Sequence, residues 1–205
     1  MQFTQQLQLH IAQAITRVEQ HTDAEIFCVL TPRSDDYDYI PILWAALIAL
    51  ASPLLLMLTP WWGSSNTALL VQLVVFVVSG LICRWQPIFN LIIPKKVRYW
   101  RAASMARRQF LEQGLHRTQT GTGVLIFVSA QERYVEILTD QGISQHVNDE
   151  QWLDIVSAFV ERVKQDQIAE GFMHCIESCG HLLAKHYPAS CEKNELPNRL
   201  VVLPD

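Results

Sequence analysis

The sequence has no Asp, Glu, Lys, Arg or His between residues 39 and 83. It also lacks a basic excess, because 16 Lys and Arg stand against 20 Asp and Glu, so no nucleic-acid partner is expected. Its 5 cysteines are odd in number and irregularly spaced, which is not the pattern of a disulfide framework. No cleavable signal peptide is expected, since the first apolar run begins about forty residues in.

The charge-free stretch contains two apolar blocks, at about 42–59 and 68–84, with a polar, turn-forming segment between them. A helix needs about 20 mostly apolar residues to cross a bilayer, with some tolerance. A buried hairpin in a soluble protein is the alternative, but a chain of this size has little other protein to cover it. Trp44, Trp61, Trp62 and Trp85 lie at or near the block ends, as in an aromatic belt. The sequence therefore predicts a two-helix transmembrane hairpin.

Lys and Arg residues near the membrane ends set the orientation of such a hairpin. The segment between the two blocks carries no charge, whereas Arg84, Lys95, Lys96 and Arg98 follow the second block. This distribution predicts an inner-membrane, multi-pass protein with both termini in the cytoplasm. The lipid bilayer is then its first partner.

The flanking sequence predicts a mixed α/β domain. Apolar residues recur with helical spacing in residues 3–20, 95–113, 148–163 and 167–187. In 95–113 the predicted inward residues are Val97, Trp100, Ala103, Ala106 and Phe110, and Asn148 with Gln151 is a predicted capping pair at the start of 148–163. Two continuous apolar runs, 25–31 and 124–128, predict strands buried on both faces, with helices on either side of the sheet. A tight turn after the second run predicts a β-hairpin to 133–139, and residues 200–203 form either a short final strand or a docked tail.

The two buried strands lie on opposite sides of the hairpin in sequence. If they share one sheet, the hairpin interrupts a single domain. The predicted organisation is a first domain part at 1–38, the hairpin at 39–83, the second domain part at 84–187, and a C-terminal tail or short strand at 188–205.

Asp140 and Asp149 are the candidate catalytic and metal-binding residues, because carboxylates at strand ends can line a cleft of an open α/β sheet and hold a divalent cation. The simpler interpretations are a turn for Asp140 and a helix cap for Asp149. The acidic segment 35–38 is interpreted as a solvated linker beside the membrane. No nucleophile–base pair has a recognisable spacing.

Two other motifs have structural interpretations. Cys175 and Cys179, with His174 and His181 nearby, all lie on one predicted helix, and a straight helix cannot arrange four ligands tetrahedrally. The cysteines are therefore expected in the core. The Thr-Gly-Thr-Gly segment 120–123 precedes a strand and lacks the Lys-Ser/Thr of a phosphate-binding loop, so it is interpreted as a strand entry.

Several segments together resemble TPM-domain proteins, most closely a bacterial branch of predicted membrane proteins with an internal hairpin. The matching segments are 22–26 (TDAEI), 110–118, 122–129 (TGVLIFVS), 140–143, 171–183 and 194–197. The resemblance implies a Rossmann-like α/β/α sandwich, here interrupted by the transmembrane hairpin.

The wider family also supplies functional expectations. Its plant members act in the thylakoid lumen in photosystem II repair, and acid phosphatase activity and calcium binding are ascribed to the domain. Asp149 matches the family's Asp that opens the helix after the β-hairpin, whereas no residue matches its acidic pair after the first helix.

Two functions follow as hypotheses. One is a non-enzymatic binding or maintenance factor for membrane protein complexes. The alternative is a membrane-tethered, divalent-metal-dependent phosphatase that uses Asp140 and Asp149, with a cation such as calcium. The sequence leaves the oligomeric state open.

Overall fold

The two buried apolar runs pair with each other in the computed structural model, which describes residues 5–58, 65–85, 88, 92–118, 120–190 and 197–204. β1 (Glu25–Thr31) lies parallel to β2 (Gly123–Ser129), and every residue of both strands is buried. β3 (Tyr134–Thr139) runs antiparallel to β2, and β4 (Leu200–Val202) runs parallel to β1. The sheet order is β3-β2-β1-β4. The predicted β-hairpin is confirmed, and the C-terminal segment forms a strand.

The helices of the described residues follow the predicted periodic segments closely. They are α1 (Gln5–Glu19), α2 (Tyr39–Leu56), α3 (Ser65–Cys83), α4 (Lys95–Glu112), α5 (Gln141–Ser144), α6 (Asp149–Lys164) and α7 (Ile168–His186), with a 3-10 turn at Leu115–Arg117. The chain divides into two compact units, one of Met1–Ser34 with Tyr99–Asp205 and one of Asp35–Arg98.

In the first unit, helices cover both faces of the sheet. Alternate residues of β1 point to opposite faces, so Ile26 and Cys28 pack among α1, α6 and α7, whereas Phe27 and Val29 pack against α4. Burial on both faces explains why the strands read as continuous apolar runs. The predicted α/β/α sandwich is confirmed.

The buried face of α4 agrees with the predicted one only in part. The predicted inward residues were Val97, Trp100, Ala103, Ala106 and Phe110. Ala106 is buried and Phe110 is partly buried against the sheet, as predicted, but the structure also buries Ala102 and Gln109 and leaves Trp100 59% exposed. The inward face therefore centres on small alanines, and the large Trp100 lies outside it.

The second unit consists mainly of α2 and α3, which pack against each other. The buried positions of α2 follow one stripe of mostly small residues: Ile40, Pro41, Ala45, Ala49 and Ser52. Small residues at a helix–helix contact permit the close approach typical of membrane-spanning helices. The Ser52 hydroxyl donates to the Ala49 carbonyl oxygen at 2.8 Å, so it needs no partner on the other helix. Trp61 and Trp62 lie outside the described residues.

Candidate functional site

Asp140 lies directly after β3 and caps the short helix α5. Its Oδ1 accepts a hydrogen bond from the backbone N–H of Gln141 at 2.7 Å, and its own N–H donates to the carbonyl oxygen of Gly123 at 2.9 Å. Its backbone is extended, as expected of a residue that precedes a helix. The carboxylate therefore has a structural role in a turn, and its role in catalysis or metal binding stays a prediction.

The antiparallel direction of β3 decides at which end of the sheet Asp140 lies. Thr139 is paired with Val124, near the start of β2, so Asp140 is at the amino end of the parallel strands. Ligands of open α/β sheets bind outside the carboxyl ends of the parallel strands. The strand-end argument for Asp140 as a cleft residue is therefore wrong for this sheet, because it overlooked the reversed direction of β3.

Asp149 is the first residue of α6, and its side chain lies outside the described part of the chain. The preceding Asn148 has the extended backbone of an N-cap, but its side chain makes no capping hydrogen bond. The predicted side-chain capping pair of Asn148 with Gln151 is therefore absent, and the Gln151 N–H instead donates to the Asn148 carbonyl oxygen at 3.1 Å. Metal binding by Asp149 stays a prediction.

Within the described residues, no three His, Cys, Asp or Glu side chains form a group that could hold a metal ion. Because the side chain of Asp149 lies outside the described part of the chain, the expected divalent cation stays a prediction as well.

The Thr-Gly-Thr-Gly segment is a strand entry, as predicted. The hydroxyls of Thr120 and Thr122 are 2.7 Å apart, and the Thr122 hydroxyl donates to the carbonyl oxygen of Asp23 at 3.0 Å. Gly121 has φ +66°, a conformation that favours glycine. These bonds join the starts of β1 and β2.

Tyr187, directly after α7, joins that helix to the same end of the sheet by hydrogen bonds. The Tyr187 hydroxyl donates to the carbonyl oxygen of Gly142 at 2.6 Å and lies 2.8 Å from Nδ1 of His146. The Thr22 hydroxyl donates to the Tyr187 carbonyl oxygen at 2.7 Å. Asp140 thus lies beside hydrogen bonds that join α5, the end of α7 and the segment before β1.

The opposite end of the sheet holds a buried polar network that the sequence analysis missed. Ser129, the last residue of β2, is fully buried, and its hydroxyl donates to the carboxylate of Glu132. Ser34 donates from its hydroxyl to the Ser129 hydroxyl at 2.8 Å and from its N–H to Glu132 Oε1 at 3.1 Å. Thr31, also fully buried, donates to the Arg33 carbonyl oxygen at 2.6 Å.

This network occupies the carboxyl ends of β1 and β2, where α/β sheets place their ligand sites. Arg133, next to Glu132, has φ +50°, an uncommon conformation for a non-glycine residue. A strained backbone beside a buried carboxylate and two hydroxyls makes this end the better candidate site. The signal in the sequence was a polar Ser…Glu spacing directly after a buried strand, which was interpreted only as a turn.

A second buried carboxyl group lies at the end of α1. Glu19 Oε1 accepts the N–H of Ile26 at 2.9 Å, which joins α1 to β1. Burial raises the pKa of Glu19 to about 8; the Ile26 hydrogen bond opposes this increase and the nearby Glu25 charge adds to it. Glu19 is thus protonated at neutral pH, in contrast to an ordinary surface glutamate.

The cysteines of α7 are core residues, as predicted. Cys175 and Cys179 are buried with their sulfur atoms 3.9 Å apart, and His174 and His181 are exposed. The neighbouring Cys179 thiol and burial raise the pKa of Cys175 well above its ordinary value, which keeps the thiol protonated and unreactive.

The sheet, which is mostly parallel, and the helices on both of its faces define an α/β/α domain. The family model described as the TPM domain matches residues 88–182, so this chain contains a TPM domain. The chain is also similar to a solved structure, the NMR structure of the BA42 protein from the psychrophilic bacterium Bizionia argentinensis, with a TM-score of 0.62 and 20% identity. The alignment covers 98% of this chain and 96% of that one, and at this identity it shows the fold alone. No curated protein matches the chain.

Proposed function

We propose that the chain is an integral membrane protein whose TPM domain faces the cytoplasm and binds or maintains membrane protein complexes. The observation that carries the membrane part is the exposed apolar surface of α2 and α3. Only 28% of α2 (Tyr39–Leu56) and 6% of the Asn66–Cys83 part of α3 are buried, although both segments are long and apolar enough to span a bilayer. The long aliphatic side chains point outward: Leu43, Leu47, Leu50, Leu54, Leu70, Leu73 and Leu81 are all about half exposed or more.

Exposing so many leucine side chains to water costs free energy, whereas contact with lipid is favourable. A core helix of a soluble protein would show the reverse pattern, with its long side chains buried and its small ones facing outward. The contact between α2 and α3 instead uses small residues and leaves the large ones outside. This arrangement supports membrane insertion more specifically than hydropathy does.

The orientation is supported by charge. Lys95, Lys96 and Arg98 follow the hairpin, whereas residues 57–64 between its helices carry no charge. Fusions of alkaline phosphatase and of a fluorescent protein at the C-terminus test it. We expect fluorescence and no phosphatase activity at that position, and active phosphatase when it is inserted within residues 57–64. The opposite pattern would contradict the orientation.

Alkaline carbonate extraction tests the anchoring itself. We expect the full chain to remain in the membrane pellet, and release into the supernatant would contradict the proposal. For the binding role, crosslinking in intact membranes followed by purification should recover defined membrane proteins with the chain. A purified chain that has no such partner and hydrolyses phosphate esters robustly would contradict it.

The second candidate function is a divalent-metal-dependent phosphatase, and the name of the matching family model, which contains the word phosphatase, favours it. The test is hydrolysis of p-nitrophenyl phosphate by the purified full chain with calcium, magnesium, manganese or zinc. Activity that an Asp140→Ala/Asp149→Ala double variant abolishes would support this function. Activity unchanged in that variant would refute the assignment to these residues, and no activity with any of the metals would refute the function.

A further inference from the structure

The outward surface of α4 combines basic and large apolar side chains. The helix as a whole carries six basic residues and one acidic residue, Glu112, and of the basic residues Arg107 and Arg108 are exposed on the side that faces away from the sheet. A helix that only packs on a sheet needs polar residues on its outer face, but it does not need them to be of one charge.

The buried residues of α4 define which side faces outward. Ala102 and Ala106 pack against β1 and β2, so positions about half a turn away point to solvent. Trp100 and Leu111 occupy this outward side and are each 59% exposed. Arg107 and Arg108 lie between them along the helix and are also exposed.

Local partners leave much of this positive charge available. Arg107 donates to the Ser104 hydroxyl at 3.5 Å, and its charge also acts on the partly buried Tyr134 and Glu136 side chains of β3. Arg108 lies 3.2 Å from Glu112, but both side chains are more than half exposed, and exposed ion pairs of this kind contribute little. A stronger anionic surface can therefore compete for both arginines.

The rule that cytoplasmic flanks are basic explains the charge of α4 but not its exposed tryptophan and leucine. Apolar side chains bordered by cations on one helix face are typical of helices that lie in the interfacial region of a bilayer. Clusters of Lys and Arg next to a membrane span bind anionic headgroups. Since α3 ends at Cys83 and α4 begins at Lys95, a chain extending at most ~3.5 Å per residue keeps the start of α4 within about 40 Å of the span.

We propose that the outward face of α4, formed by Trp100, Arg107, Arg108 and Leu111, binds anionic phospholipid headgroups at the membrane surface. The proposal rests on the membrane anchoring proposed above. Trp100 and Leu111 enter the interfacial region, and the two arginines contact phosphate oxygens. Contact between this face and the membrane therefore depends on how much anionic phospholipid the membrane contains.

The test titrates the purified full chain, in a mild non-ionic detergent, with short-chain phosphatidylglycerol or phosphatidylcholine and follows binding by thermophoresis. We expect tighter binding of phosphatidylglycerol, which weakens with added salt. Arg107→Gln/Arg108→Gln should weaken it roughly tenfold or more. Trp100→Ser should weaken binding of both lipids, because it removes apolar contact and no charge.

The matched control is Lys164→Gln/Lys185→Gln, which removes the same charge from exposed positions on α6 and α7. This control should bind phosphatidylglycerol as the wild type does, and thermal melts should show that all variants are folded. Equal affinity for the two lipids, or an equal loss in the control, would overturn the proposal. Carbonate extraction separates the two proposals: a wild type that resists extraction but shows no lipid preference contradicts only the role of α4.

Discussion

The Ser34 hydroxyl donates a hydrogen bond to the Ser129 hydroxyl at 2.8 Å, although the whole membrane-type hairpin lies between these residues in sequence. Ser34 ends the first part of the α/β unit, and Ser129 ends β2. The bond forms because β1 and β2 are parallel and in register, with Thr31 paired to Ser129. Polar groups from both sides of the insertion therefore meet at the carboxyl ends of the strands.

Removal of the Ser129 hydroxyl should destabilise the domain. The Glu132 carboxyl group would lose one of its hydrogen-bond donors and the Ser34 hydroxyl would lose its acceptor; a lost hydrogen bond costs about 0.5–1.5 kcal/mol, so the two losses together cost about 1–3 kcal/mol. We expect Ser129→Ala to lower the free energy of unfolding by this amount in denaturant titrations of the detergent-solubilised chain. Ser178→Ala is the control, because Ser178 is only half-buried and its hydroxyl makes a long contact of 3.4 Å with Nδ1 of the exposed His174. Equal stability of the two variants would show that the network contributes nothing.

Much of this fold could be predicted from local pattern. Continuous apolar runs indicated β1 and β2, and helical periodicity indicated α1, α6 and α7, because burial on one or two faces leaves a direct mark on the sequence. The orientation of α4 could be predicted only in part: Ala106 and Phe110 face the sheet as predicted, but Trp100 does not. Alanines are weakly hydrophobic, so the pattern favoured the large Trp100 over Ala102 as an inward residue.

The candidate site was harder to predict for a different reason. Asp140 and Asp149 were chosen because one follows a predicted strand and the other begins a predicted helix, and both features can be recognised from neighbouring residues. The Ser34–Ser129–Glu132 network depends on strand register and on a contact between residues 95 positions apart, and neither is visible in the sequence. The direction of β3 follows from its hairpin, but the consequence for Asp140 appears only when all strands are placed in one sheet.

The backbone around Asp140 has no room for a side chain at Gly142. A Cβ atom there would lie 2.5 Å from the Gly121 carbonyl oxygen and 2.9 Å from that of Thr120, and both are backbone atoms. We expect Gly142→Ala to cost about 2 kcal/mol or more, since the turn or α5 must shift. Gly114→Ala is a useful comparison, because a Cβ there meets nothing within 4 Å and only the positive φ is strained, at about 1 kcal/mol. A smaller loss for Gly142→Ala than for Gly114→Ala in thermal melts would contradict the packing.

Glu19 should make stability depend on pH. Its pKa is about 8 in the folded chain and 4.5 ordinarily, so the folded chain holds a proton that the unfolded chain releases between these values. The stabilisation is fully present below about pH 4.5 and is lost as the pH rises through 8, at up to about 1.4 kcal/mol per pH unit. Glu19→Gln keeps an acceptor for the Ile26 N–H but does not titrate, so its unfolding free energy should fall less between pH 5 and pH 9.

The control for this profile is Glu177→Gln, at an exposed position of α7, which should follow the pH dependence of the wild type. Parallel profiles for the wild type and Glu19→Gln would show that Glu19 is ionised in the folded chain, contrary to the expected proton.

Arginine substitutions at two exposed leucines test whether α3 faces lipid or water. Leu73 in α3 is 61% exposed and Leu153 in α6 is 63% exposed, so an arginine would fit equally well at either position in water. In a bilayer, an arginine near the centre of a span costs about 2.5–3.5 kcal/mol on insertion, whereas a surface arginine of the soluble domain costs almost nothing. We therefore expect Leu73→Arg to shift the chain from the carbonate-resistant membrane pellet to the soluble or degraded fraction, and Leu153→Arg to leave its distribution unchanged. If both variants stay in the pellet, α3 does not face lipid at Leu73, and the membrane anchoring on which the function and the lipid-binding face of α4 depend would have to be abandoned.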